Sequence, residues 1–121
     1  MITIAVDFDG TIVEHDYPRI GEEAPFAISV LKELIDNGIK IILYTMRSGD
    51  TLKEAVDWLT ERGIELYGIN ENPTQKTWTD SPKPYADIYI DDAALGCPLT
   101  KSPNFRWVVD WEKVRKELSV V

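Results

Sequence analysis

Asp7 and Asp9 stand two residues apart in Asp7-Phe8-Asp9-Gly10-Thr11, directly behind the apolar run Ile2-Thr3-Ile4-Ala5-Val6. Carboxylates at that spacing fall on one side of an extended chain. Held together they repel, unless a cation or a shared proton compensates. Gly10 lets the chain turn away and lets backbone approach a ligand closely. A second acidic pair, Asp91-Asp92, follows the short apolar run Ile88-Tyr89-Ile90. The chemistry these residues point to is a cation-assisted reaction.

The elements that must position them follow from the pattern around them. The run before Asp7 is continuous, β-branched and short, which reads as a buried strand of a parallel sheet. Open α/β sheets place ligands at the carboxyl ends of such strands. Further strands are expected at Ile39 to Tyr44, Leu66 to Ile69, Ile88 to Ile90 and Phe105 to Val109. Between them, Ile28, Leu31, Leu34 and Ile35 mark a helix that starts at Pro25 and stops at Asn37-Gly38. Leu52, Ala55, Val56 and Leu59 mark a second, capped at Ser48 or Asp50 and ended by Gly63. Trp111, Val114 and Leu118 mark a last amphipathic helix. This βαβαβ alternation predicts an α/β fold, a parallel sheet with right-handed crossovers and helices on both faces. Asp7, Asp9, Thr45, Asp91 and Asp92 would all then reach one edge of the sheet.

Composition narrows the function. At 121 residues, residues 1–121 read as a single domain. A net charge of −8 without a basic run argues against nucleic-acid binding and against an anionic membrane surface. The lone Cys97 excludes an internal disulfide and a cysteine zinc cluster, and the lone His15 excludes a His-rich metal site. No basic leader and no long apolar stretch is visible, so a soluble, cytoplasmic protein is expected.

Asp7-Phe8-Asp9-Gly10-Thr11, Thr45 after an apolar strand, an upstream lysine and Ile90-Asp91-Asp92 resemble the four ordered motifs of the haloacid dehalogenase (HAD) superfamily. They span residues 1 to 95, nearly the whole chain. The second carboxylate of the first motif resembles the phosphatase branch. The resemblance implies a three-layer Rossmann-like core and a Mg²⁺-dependent phosphoric monoester hydrolase. Asp7 resembles the nucleophile and Asp9 the general acid and base. Asp7, Asp9 (through its main-chain carbonyl) and Asp91 resemble the metal ligands, and Asp92 resembles either a further ligand or a residue that hydrogen-bonds to the ligands. Thr45, Met46, Arg47, Gly10 and Thr11 would contact phosphate or substrate.

The phosphate lysine is either Lys83 or Lys76. Lys83 lies eight residues before Asp91 and fits the usual third-motif position in capless members. Neither 12–24 nor the stretch between the second and third motifs has room for a folded cap. The resemblance is therefore to the capless group, whose members either act on large substrates or cover the open site with a neighbouring subunit; the substrate expected here is a small phosphorylated metabolite or sugar phosphate, with a homo-oligomer covering the site. Other residues carry plainer readings. His15 reads as a surface loop residue, Cys97 as a small residue without chemistry, and Trp58, Trp107 and Trp111 as core. The stretch 70–85 reads as functional or mobile. A receiver-like phospho-acceptor also combines a parallel sheet, acidic residues, a hydroxyl and a lysine, but its adjacent acidic pair follows the first strand. A member that only binds a ligand is a third reading.

Overall fold

The apolar run behind Asp7 forms β1, Thr3–Val6, buried at every position. It can occupy the interior because both its faces are small or apolar: Ile4 and Val6 on one, Thr3 and Ala5 on the other. The computed structural model describes residues 1–119. In it β1 pairs in parallel with β2 (Lys40–Leu43) and β4 (Ile88–Ile90), while β3 (Gly68–Ile69) extends the sheet beyond β2. The strand order is β3-β2-β1-β4. Register sets Val6 level with both Leu43 and Ile90. The residues that follow, Asp7, Tyr44-Thr45 and Asp91-Asp92, therefore leave the sheet together. The chain also reverses its direction of growth after β3. That puts the topological switch point between β1 and β4, where α/β sheets open a crevice.

The fold is α/β, a central parallel sheet flanked by α1 (Ala27–Asp36), α2 (Gly49–Glu61) and α3 (Trp111–Leu118). Ile4, Val6, Ile41 and Leu43 of the sheet share one core with Val30 and Leu31 of α1, Leu59 of α2 and Trp111 of α3. Among the described residues, all three helices thus pack on one face, not on both as the alternation predicts. The other face, Ala5 and Ile42, is covered by Ala86 and Tyr67. Its third layer is the β3–β4 crossover, 70–87, which holds a single 3-10 turn at Gln75–Thr77. Three prolines, Pro73, Pro82 and Pro84, deny that stretch a helix. Side chains replace the missing backbone pairing. Gln75 accepts the Tyr85 N–H at 2.6 Å and donates to the Ser81 and Lys83 carbonyls at 3.1 and 2.8 Å. The crossover is thereby fastened to itself.

Local differences have local causes. α1 begins at Ala27 instead of Pro25, because Phe26 takes a left-handed φ of 67° and interrupts the helix. The Glu23 carboxylate then accepts the Ile28 N–H at 3.0 Å, as an acid at a helix start should. The expected fifth strand does not join the main sheet. It is β6 (Trp107–Val109), antiparallel to β5 (Leu99–Lys101) in a separate two-stranded ribbon. Val108 and Val109 enter the core, whereas Trp107 is 59% exposed and lies under the Lys101 ammonium rather than in the core.

Candidate functional site

Asp7, Asp91 and Asp92 converge at the switch point. Each offers a carboxylate oxygen, and these oxygens all lie within 4.8 Å of one another. The Asp7 N–H still pairs with the Ile90 carbonyl at 2.9 Å, so β1 and β4 hold the carboxylates in register past their strand ends. Thr11 fixes the separation. Its buried hydroxyl shares one proton between Asp7 Oδ2, at 3.1 Å, and Asp92 Oδ1, at 3.3 Å. The same oxygen accepts the Asp92 N–H at 3.1 Å. The Thr11 carbonyl accepts the indole N–H of Trp111 at 2.8 Å, which anchors the loop to α3. Thr11, expected as a substrate contact, is instead a strut between two acids.

The turn that brings Thr11 into place is built on Phe8. Its carbonyl accepts the N–H groups of Thr11, Ile12 and Val13, while Gly10 N–H reaches the Val13 carbonyl. The Asp9 carbonyl accepts none of the hydrogen bonds of this turn. Gly10 takes φ of 81°, and a Cβ there would overlap His15 Nε2 and Asp92 Oδ2. Gly10 is therefore needed for the close approach of its neighbours, and it presents backbone only.

Charge crowding shows in the acids themselves. Burial, then the hydrogen bond with Asp92 and the charge of Asp91, pushes Asp7 from 3.8 up to about 8. Burial pushes Asp92 upward too, but hydrogen bonds with His15, Asp7 and Thr11 outweigh it and hold Asp92 below the ordinary carboxylate range. One proton or one cation is what the cluster lacks. Three carboxylates with hard oxygen donors could hold a divalent metal ion.

Asp9 is not part of that cluster. Its two oxygens face the Arg47 guanidinium, accepting from Nε and one terminal nitrogen at 2.8 Å each. Arg47 is 2% exposed. Its remaining N–H groups go to the carbonyls of Pro18 at 3.2 Å, Thr51 at 3.3 Å and Arg19 at 2.8 Å. All five guanidinium donors are thus engaged within the protein. Arg47, expected as a phosphate or substrate contact, is corrected to a buried partner of Asp9.

Thr45 follows β2 as expected. Its N–H donates to Asn70 Oδ1 at 2.8 Å, and its hydroxyl oxygen accepts the Arg47 N–H at 3.1 Å. Among the described residues the Thr45 hydroxyl proton has no acceptor, which leaves it for a ligand. Met46 beside it is 98% exposed.

No protein-family model and no curated protein matches the chain. Among solved structures, the chain is similar to a conserved protein from Bacteroides thetaiotaomicron. The two are 41% identical, with 98% of this chain and 90% of that one covered and a TM-score of 0.83. The chain belongs to that protein's family.

Lys83 Nζ stands 5.0 Å from the centroid of the Tyr89 ring, and Tyr89 lies on β4 two residues before Asp91. Alternation puts Tyr89 and Asp91 on the same face as Ala5 and Asp7. Lys76 instead lines a cavity of about 300 Å³ enclosed by the crossover, with Asn70, Glu71, Thr79, Asp80 and Ser81. Lys83 thus stands beside β4.

Two residues near the site were not foreseen in these roles. His15 is no bystander on a loop: its Nε2 lies 3.0 Å from Asp92 Oδ2, although the ring stays largely exposed. The turn at Gly10 folds it back onto the acids, which spacing alone does not reveal. Asn70 ends β3 in a left-handed φ of 54° and orients Thr45 from there. An Asn after a short strand, where such backbone favours Asn, was the available signal. Trp78, in the crossover, packs edge-on against Tyr85.

Proposed function

We propose that this protein is a Mg²⁺-dependent phosphatase of the haloacid dehalogenase type, hydrolysing a phosphate monoester through an aspartyl-phosphate at Asp7. The observation that carries the reading is the meeting of Asp7, Asp91 and Asp92 at the switch point, within 4.8 Å. Random acidic surface residues repel. These are held together by Thr11 and by strand register, so the charge excess is built in. Asp7, Asp91, Asp92 and the Asp9 carbonyl would hold Mg²⁺, which would supply the positive charge that a phosphate dianion needs to enter.

The protein's own groups then divide the work. An Asp7 oxygen attacks phosphorus, and the bond from phosphorus to the ester oxygen breaks. Asp9, in its protonated form, gives its proton to that leaving oxygen. Water next attacks the aspartyl-phosphate and gives a proton to Asp9. The bond between phosphorus and the Asp7 oxygen breaks, which releases inorganic phosphate and restores both carboxyl groups. The Thr45 hydroxyl and the Lys83 ammonium bind phosphate oxygens and offset the charge that develops on them.

No helix or named strand interrupts 12–24, and the β3–β4 crossover packs Ala86 on the face of the sheet. Both support a capless, open site; the substrate we propose for it is a small phosphorylated metabolite or sugar phosphate. The test is phosphate release from an aryl phosphate, with Mg²⁺ and with excess chelator. Turnover that requires Mg²⁺ and disappears in Asp7→Asn is the expected result. Turnover that persists in the chelator or in Asp7→Asn contradicts the mechanism.

A further inference from the structure

Arg47 is the most heavily committed cation among the described residues. It is buried, and its five donors reach three separate parts of the chain: Asp9 after β1, Pro18 and Arg19 in the following loop, and Thr51 in the first turn of α2. The guanidinium also lies over the rings of Phe8 and Tyr17, 5.2 Å from each centroid. A buried arginine that anchored the loop alone would not need Asp9. One that neutralised Asp9 alone would not need three carbonyls.

The fork fixes the carboxylate more tightly than a single bond could. Two parallel N–H···O contacts set both the position and the plane of Asp9. Each Asp9 oxygen retains a lone pair outside the fork. The Asp9 side chain stays 15% exposed while that of Arg47 is 1% exposed, so the carboxylate is gripped from behind and open in front.

We infer that Arg47 is a positioning residue that acts through Asp9, aiming its carboxyl group at the leaving oxygen and tying that aim to the order of the 14–24 loop. The inference rests on the phosphatase reading for its chemical consequence, and on geometry alone for the tie itself. All five Arg47 donors are spent on groups of the protein itself. Its effect therefore belongs to proton transfer, which poor leaving groups need and good ones do not.

The experiment compares wild type with Arg47→Lys on an alkyl phosphate and on p-nitrophenyl phosphate. Lysine keeps the charge but loses the fork. The expected fall in kcat/KM is about 10- to 100-fold on the alkyl ester and under about threefold on the aryl ester. Equal losses on both esters overturn the inference, because a general structural defect does not sense the leaving group. A thermodynamic cycle on unfolding, with Asp9→Asn, Arg47→Lys and the double variant, tests the tie without any activity. The two substitutions should be coupled by at least about tenfold in the folding equilibrium constant, and amide exchange in 14–24 should rise in Arg47→Lys. Independent, additive losses overturn it. Should Arg47→Lys not fold, the Arg47 Nε–H resonance of wild type decides: slow solvent exchange and a shift on Asp9→Asn support the tie, and exchange as fast as at exposed arginines overturns it. Wild type that hydrolyses neither ester removes the phosphatase reading, and the cycle and exchange data still decide whether Arg47 holds Asp9.

Discussion

The Thr11 hydroxyl accepts the Asp92 N–H at 3.1 Å across 81 residues of sequence, and in the same place shares its proton with Asp7. One buried side chain thereby sets the distance between the first acid of the chain's first motif and the last acid of its final one. The chain tolerates like charges there because their hydrogen-bonding partners are fixed by the fold.

Removing that hydroxyl should be expensive. Thr11→Val keeps the shape but leaves a part-buried N–H without its partner, and the loss in stability should be about 1–3 kcal/mol. Mg²⁺ affinity should fall about 10- to 100-fold, as when an outer partner of a metal ligand is lost. Urea denaturation and calorimetric Mg²⁺ titration measure the two effects. Unchanged Mg²⁺ affinity would show that Thr11 does not set the acid cluster.

Asp7 makes the metal-free protein sensitive to pH in an unusual direction for a carboxylate. Its ordinary value is 3.8 and its folded value about 8, the first cause being burial. Between those values the folded state holds a proton that the unfolded state releases, so stability falls as pH rises from about 4 to about 8. Asp7→Asn should abolish that fall. In chelator at pH 8 the variant should exceed wild type by at least about 1.4 kcal/mol, the equivalent of one pH unit. At pH 4 the difference should vanish. Denaturation at the two pH values checks the sign, and a variant less stable than wild type at pH 8 would be the wrong one.

Trp111 links α3 to the site through its indole N–H, which donates to the Thr11 carbonyl at 2.8 Å in a buried setting. Trp111→Phe keeps most of the apolar contact and deletes the donor. A loss of about 1–2 kcal/mol is expected, with a smaller drop in Mg²⁺ affinity than Thr11→Val causes. Equal drops in the two variants would mean that α3, not the hydroxyl, controls the acids.

The sequence carried those parts of the fold that depend on short-range pattern. β1 was legible because a run of five residues that is apolar but for Thr3 has few other uses, and the stops at Asn37-Gly38 and Gly63 because glycine there takes left-handed backbone. Asp7, Asp91 and Asp92 were legible because strand ends in a parallel sheet share an edge. The face chosen by each helix was not, since periodicity records that a stripe is apolar and not what it meets. The β3–β4 crossover carried a clue in its prolines, yet its fastening by Gln75 depends on a polar residue turned inward. Arg47 was misread for the same reason: the five acceptors that bury it lie on three segments, and no local pattern announces them.

The central claim is that phosphorus passes through a covalent bond to Asp7. The direct measurement is rapid acid quenching of wild type mixed with an aryl phosphate and Mg²⁺, followed by peptide mapping. The account predicts a phosphoryl group on the peptide containing Asp7, reducible by borohydride as an acyl phosphate is, absent in Asp7→Asn and absent when a chelator replaces Mg²⁺. Phosphate release at full rate with no such adduct at Asp7, or an adduct on a different residue, would contradict it.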